Sequence, residues 1–333
     1  MANNSTNSQV SSLQTNDSIH YAYFSAESDI FPLLVAFLIV IINAWVIILI
    51  LKNKLLRTVT NFILSSLAFS DLLTGLLSIP MFVACNVVRT LPLCITSDVF
   101  LRFTSISTVA HLLAVTFDRY LAIMHSLRYA TLMTKSRALF GLIFIWVTSV
   151  AMSLIHFSWS TLITDEDVNG KMPQSEKENE IRYDIFCLIT YFFLPLIFMM
   201  YAYGRIFYQV VRQRRIMTRN NLPGFQPHNR LSIESHKWKA AIIFLVMLLV
   251  YTICWLPYFA YRLQYNFEDG EKNILPIAMQ YLIIYQRFCT SLFNPLLYIL
   301  GKQDFRKTIL TRFERRPTRS YTGSTSLLRS TYV

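Results

Sequence analysis

The chain has 333 residues, 54% of them apolar and only 15% charged, with 31 Lys and Arg against 19 Asp and Glu for a formal charge of +12. Ordinary soluble domains carry about 25% charged residues, so the composition excludes a conventional soluble domain and selects lipid as the solvent. A basic excess can mark a nucleic-acid binder, but here it is confined to segments between apolar runs, which suits one face of a membrane and argues against nucleic acid.

In chain order, residues 1–30 contain no Lys or Arg and carry sequons at Asn3, Asn4 and Asn16, so they read as an extracellular, glycosylated N-terminus. They lack the apolar centre of a cleavable signal, and the first span is expected to direct insertion. Seven apolar runs follow, at 31–51, 59–84, 94–124, 139–155, 185–211, 240–263 and 274–300, each near the roughly 20 residues a spanning helix needs. The first offers only Asn43 as a strongly polar side chain, whereas a soluble amphipathic helix would show a polar face.

Lys52, Lys54 and Arg57 follow run one, and Arg128, Lys135 and Arg137 separate runs three and four. Arg212, Arg214, Arg215, Lys237 and Lys239 lie between five and six, and more basic residues follow run seven, while the alternate connections carry Asp165, Glu166, Glu180, Asp184 and Glu268. The positive-inside rule then places the N-terminus outside and the C-terminus in the cytosol of a multi-pass plasma-membrane protein. No internal repeat is visible, which counts against a repeat-built transporter; a transporter or channel is the alternative class. No catalytic constellation or metal-ligand cluster is evident, so an enzyme is not expected.

A charge near the bilayer centre costs about 2.5–3.5 kcal/mol, which makes Asn43, Asp71, Asp98, Arg102, His111, Asp118, Arg119, Arg205, Arg262, Arg287 and Asn294 the residues to explain. Pro195, Pro257 and Pro295 lie inside runs beside Trp, Tyr or Asn. A proline kink next to a bulky side chain is a hinge with two packings.

Asn43, Leu67-Ala68-Phe69-Ser70-Asp71, Asp118-Arg119-Tyr120, Trp146, Pro195 with Tyr203, Cys254-Trp255-Leu256-Pro257 and Asn294-Pro295-Leu296-Leu297-Tyr298 occur in this order, each motif in its own run. The chain thereby resembles the rhodopsin-like (class A) G-protein-coupled receptors over about residues 31–313, and residues 118–138 and 145–159 look most like the histamine, trace-amine and adenosine receptors. The resemblance implies an all-α membrane fold: a seven-transmembrane bundle over 31–300, a short amphipathic eighth helix over 301–313 with Phe305, Ile309, Leu310 and Phe313 facing lipid, and a disordered cytoplasmic tail over 314–333. It implies coupling to a heterotrimeric G protein, phosphorylation of the tail by receptor kinases, and arrestin binding. Thr331-Tyr332-Val333 looks like a ligand for a PDZ protein.

By the same resemblance, Asp118 offsets Arg119 in the resting state, and Arg119 when freed meets Tyr203 and the G protein; Tyr120 completes the motif. Trp255 floors a ligand cavity and moves with the Pro257 kink, and Tyr298, beyond Asn294 and Pro295, swings inward on activation. Asp71, Thr108, Ser291 and Asn294 would surround a sodium ion, the one cofactor implied; the alternative is a protonated Asp71 bonded to Asn43 and Asn294. Relatives add an acid at the foot of helix six, where this chain has Lys237–Lys239 and only Glu234 nearby, so basal activity is expected. The helix-three cysteine is Cys94, and three arrangements stay open: a bridge to Cys187, a bridge to Cys85, or none.

The position of the amine-binding Asp of amine receptors is Leu101, and that of the opsin Lys is Phe288. Asp98 and Arg102, spaced i, i+4, either pair with each other or serve ligand. In the second case Arg102, Arg262 and Arg287 converge on an anionic small molecule, lipid or peptide, or Asp98 takes an amine. Ser105, Tyr261, Gln280, Ile284, Leu101 and Phe288 would line the same cavity.

Overall fold

The computed structural model describes residues 26–158, 174–219, 246–264, 276–302, 304–306 and 308–309. Asn3, Asn4, Asn16, Glu234, Lys237–Lys239, Leu310, Phe313 and Thr331-Tyr332-Val333 lie outside the described residues. Among those described, seven long helices form the bundle: α1 (Ala26–Lys52), α2 (Val59–Val88), α3 (Leu91–Met124) and α4 (Lys135–Leu154). They continue with α5 (Gln174–Arg219), α6 (Val246–Gln264) and α7 (Ile277–Gly301). The first six are long and apolar enough to cross a membrane. The seventh, counted as an apolar run from sequence, is diluted by Gln286, Arg287 and Asn294 on the side that faces its neighbours.

The bundle inverts the soluble arrangement. Leu34, Phe37, Phe140, Phe144 and Leu282 are exposed on its outside, while Asn43, Asp71, Ser107, His111 and Asp118 are fully buried. Each buried polar group therefore needs a partner. His111 illustrates the solution: its Nδ1 lies 2.7 Å from the Ser107 carbonyl, which can only accept, so Nε2 is the acceptor for the Ser66 hydroxyl at 2.8 Å. Ser66 in turn accepts from Trp146 Nε1 at 3.0 Å, tying α2, α3 and α4 together.

The prolines are managed in the same way. Proline has no N–H and frees the carbonyl four residues earlier. For Pro195 that carbonyl is Tyr191, which accepts from Tyr251 of α6 at 2.5 Å. For Pro257 it is Ile253, which accepts from Gln286 Nε2 of α7 at 2.9 Å. For Pro295 it is Ser291, which accepts from Asn43 Nδ2 of α1 at 3.1 Å. Each kink is thus capped by a side chain of another helix. A π turn also widens the helix just before Pro80 and Pro195, at Thr74–Ser78 and Ile189–Phe193.

Gly75, in the first π turn, permits a close approach of α1 and α2: a Cβ there would lie 2.9 Å from the Ala36 carbonyl oxygen and 2.9 Å from Val40 Cγ2. Two sequence expectations are corrected. Helix α5 starts at Gln174 instead of 185, because Glu180, Tyr183, Asp184, Cys187 and Tyr191 continue its inward face at helical spacing. Phe305 does not face lipid; it is fully buried, with its ring 6.0 Å from that of Tyr298, and Ile309 packs partly buried on the same core.

Candidate functional site

Three polar clusters run along the bundle axis. At mid-bundle, Asp71 accepts from Thr108 Oγ1 at 3.3 Å and from Asn294 Nδ2 at 3.2 Å, with the Ser291 side chain beside it. The four residues named for a sodium site are therefore brought together. The Asn43–Asp71 bond of the alternative, protonated reading is absent among the described residues: the Asn43 amide donates to the Ile39 and Ser291 carbonyls instead, and its own oxygen is buried without a partner.

At one end, α3 delivers the Asp118-Arg119-Tyr120 motif. Asp118 Oδ2 accepts from Arg119 Nε at 2.9 Å, Arg119 Nη2 at 2.5 Å and Thr60 Oγ1 at 2.8 Å, and Oδ1 accepts from Tyr129 at 2.6 Å. Arg119 also donates to Thr60. The carboxylate is thus saturated by three residues from α2, α3 and the short helix Tyr129–Leu132, which answers its desolvation. Burial first, and the adjoining Asp118 carboxylate second, push the Tyr129 hydroxyl above the usual phenol range, so it remains a donor at neutral pH. Tyr120 is turned away from this lock, its ring contacting Tyr201 and His125.

Tyr203 stands one turn above. Thr116 spends its proton on the Leu112 carbonyl at 2.8 Å, so Tyr203 is the donor in their 2.7 Å bond. Just past α7, Lys302 donates to the Asn61 side chain, whose own amide donates to the Leu56 carbonyl at 2.8 Å. Burial, and then the nearby Arg119 guanidinium, push the Lys302 amine down to about 7.

At the opposite end stands an ion cage. Arg102 of α3 donates to Asp98 at 2.6 Å and to Glu180 of α5 at 3.1 Å; Arg262 of α6 shares Glu180 at 3.4 Å and donates to Asp184 at 3.1 Å. The Arg102 guanidinium also lies 4.8 Å over the Tyr183 ring. Beneath the cage is a cavity of about 50 Å³ lined by Ser105, Cys187, Tyr191, Tyr258 and others, with Trp255 in its wall. Ligand pockets are typically about 300–1,000 Å³, so this one must widen to admit a ligand.

The convergence of three arginines is corrected accordingly. Arg102 and Arg262 meet, but their charges are met by carboxylates of α3 and α5; Arg287 stands apart, its guanidinium 4.4 Å over the Tyr258 ring and 5.0 Å over Phe288. Leu101, Ile284 and Phe288 belong to a separate apolar cluster with Tyr285, and Tyr261 donates to Gln280 at 3.0 Å; none of these lines the cavity. Glu180 and Asp184 stand in a stretch whose acidity resembles a connection, and the sequence signal for their place on a helix is their i, i+4 spacing, continued by Cys187 and Tyr191.

The disulfide is Cys85–Cys94, and the Cys94–Cys187 pairing is corrected. Arg89, at φ 52, ends α2 and a two-residue turn starts α3, which leaves Cys85 and Cys94 with Cα atoms 4.9 Å apart, inside the range a bridge requires. The early start of α5 carries Cys187 more than three turns into the helix, buried and free.

Seven long helices around a buried Asp-Arg lock, with an ion cage and a cavity at the other end, define a seven-helix membrane receptor. The chain belongs to the 7 transmembrane receptor (rhodopsin family), which matches residues 42–298. It is 30% identical to the histamine H2 receptor of Canis lupus familiaris over 83% of this chain and 76% of that protein, and 32% identical to that of Homo sapiens over 76% and 70%. It is 28% identical to the adenosine receptor A2a of Canis lupus familiaris over 82% and 70%. The chain is accordingly a multi-pass plasma-membrane receptor that acts through G proteins, and not an enzyme.

Proposed function

We propose that this receptor binds a small extracellular ligand in the cavity between α3, α5 and α6, and that ligand entry parts the Arg102–Asp98–Glu180–Arg262–Asp184 cage. The observation that carries the reading is a narrow cavity with Trp255 in its wall and Arg102, Asp184 and Arg262 of the ion cage in its lining. The cage end faces outward and the Asp118 end faces the cytosol, a reading supported by basic residues at the latter and by a disulfide at the former, since disulfides persist on the oxidising side.

Opening the cage moves α5 against α3 and α6, which shifts an existing equilibrium rather than creating a new state. Because Trp255 lies two residues before Pro257, the shift bends α6 at that kink. Tyr203 then leaves Thr116, Arg119 leaves Asp118, and the freed guanidinium meets the heterotrimeric G protein. Tyr298 follows through the Asn294-Pro295 kink. Asp71, Thr108 and Ser291 supply the carboxylate and hydroxyl oxygens that suit sodium, and a bound ion would neutralise Asp71 in the resting state. Receptor kinases and arrestin act at the tail, and Thr331-Tyr332-Val333 engages a PDZ protein.

An amine held by Asp98 is the second reading. It requires Arg102 to be displaced first, since their contact is 2.6 Å. The test is a screen of small organic ligands with G-protein nucleotide exchange as readout, repeated on Asp98→Ala and Arg102→Ala. Loss of response in Asp98→Ala alone supports the amine; wild-type responses in both variants, or substrate flux without nucleotide exchange, would overturn the proposal.

A further inference from the structure

Three arginines lie in the outer half of the bundle, and two of them are neutralised by carboxylates. The third, Arg287, is only 6% exposed. Among the described residues its guanidinium makes no ion pair or hydrogen bond, and its Nε is a buried donor without an acceptor. It rests on the faces of Tyr258 and Phe288. Ring faces attract a cation but accept no strong hydrogen bond, and a buried guanidinium without an anion is costly. A second orphan donor lies against the same tyrosine: Trp255 Nε1 is buried without an acceptor, and the Trp255 ring stands 6.2 Å from that of Tyr258. Tyr258 and Trp255 both line the ligand cavity, so Trp255 borders it directly and Arg287 lies behind it, against the Tyr258 ring.

We propose that Arg287 and Trp255 form an anion subsite at the α6–α7 wall of the cavity, and that the receptor's ligand carries a carboxylate that enters it. A carboxylate is a pure acceptor with two oxygens: it satisfies the guanidinium edge and the indole N–H together, and an aryl group attached to it stacks on Tyr258. Anion binding then acts directly on Trp255, two residues from the Pro257 kink.

The inference rests on the cavity being the ligand's site, but its test uses no G protein, so the two can fail separately. Full-length receptor in lipid nanodiscs is melted with benzoate, with the neutral isostere benzamide, and with octanoate as a fatty-acid source of the same group. The expected result is a rise in Tm with a carboxylate and none with benzamide, lost in Arg287→Gln and partly kept in Arg287→Lys. Binding weakens by about 10- to 100-fold in Arg287→Gln, the range for losing a charged hydrogen bond. The larger shift of benzoate or octanoate identifies a soluble acid or a lipid as the source. No shift with either acid, an equal shift with benzamide, or a shift that survives in Arg287→Gln would overturn the subsite. Should Arg287→Gln fail to fold, the benzoate-against-benzamide comparison in wild type and in Trp255→Phe decides it.

Discussion

Tyr129→Phe removes one hydroxyl from the Asp118 lock and nothing else. That hydroxyl donates to the Asp118 carboxylate at 2.6 Å, and hydrogen bonds to charged groups are worth about 1.5–3 kcal/mol. Tyr129 is half-buried at the end of the bundle, so screening by water reduces the figure to about 1 kcal/mol. If the bond exists only while Arg119 is held, losing it raises the ratio of active to resting receptor about fivefold. The measurement is nucleotide exchange on a purified G protein, with wild-type and variant receptor in nanodiscs at equal amounts and no ligand. Combining the change with Asp118→Asn should add little, because both act on one network. Exchange by Tyr129→Phe equal to that of wild type would refute the idea that this hydroxyl stabilises the resting state.

Wild-type receptor, with Lys237–Lys239 where the family resemblance implies an acid, is expected to signal without ligand; second-messenger levels no higher than in vector-transfected cells would count against it. Gly75→Ala should lower Tm in nanodiscs, at a cost of about 1–3 kcal/mol, because the new Cβ meets the Ala36 carbonyl at 2.9 Å; an unchanged Tm would show that α1 can retreat freely. Lys302 holds its proton to about 10.5 when unfolded and to about 7 when folded, so folding releases a proton between those values. Stability from this group is lowest below about pH 7 and rises with pH across that window, and Lys302→Met should flatten the rise in Tm between pH 6 and 9.

The spans were legible because length and apolarity are local properties, and the motif residues were legible because each is a rare polar group in a lipid-facing chain. What was hidden depends on where an element starts and what it meets. Glu180 and Asp184 sit in a stretch too acidic to look membrane-spanning, yet three turns of α5 aim them at Arg102 and Arg262. Tyr129 lies in a short connection with no pattern of its own, and only the fold brings it to Asp118. Arg287 was visible as an intramembrane charge, but its isolation became apparent only when the carboxylates paired with the other two arginines. Cys187 misled because its distance to Pro195 says nothing about how far α5 extends before it.

The capped prolines bear on how the receptor is built. Each kinked helix enters the bilayer with one carbonyl open, and hydrocarbon cannot satisfy it. The partner for α5 arrives with α6, and the partner for α6 arrives with α7. The partner for α7 is on α1, the first helix made. A chain interrupted after five or six spans therefore keeps an unmet acceptor in lipid, and the Asn43 contact satisfies the last of the three. Asn43→Ala should leave that acceptor open in the finished chain, and such a receptor would be retained during biogenesis before any defect in signalling could be read.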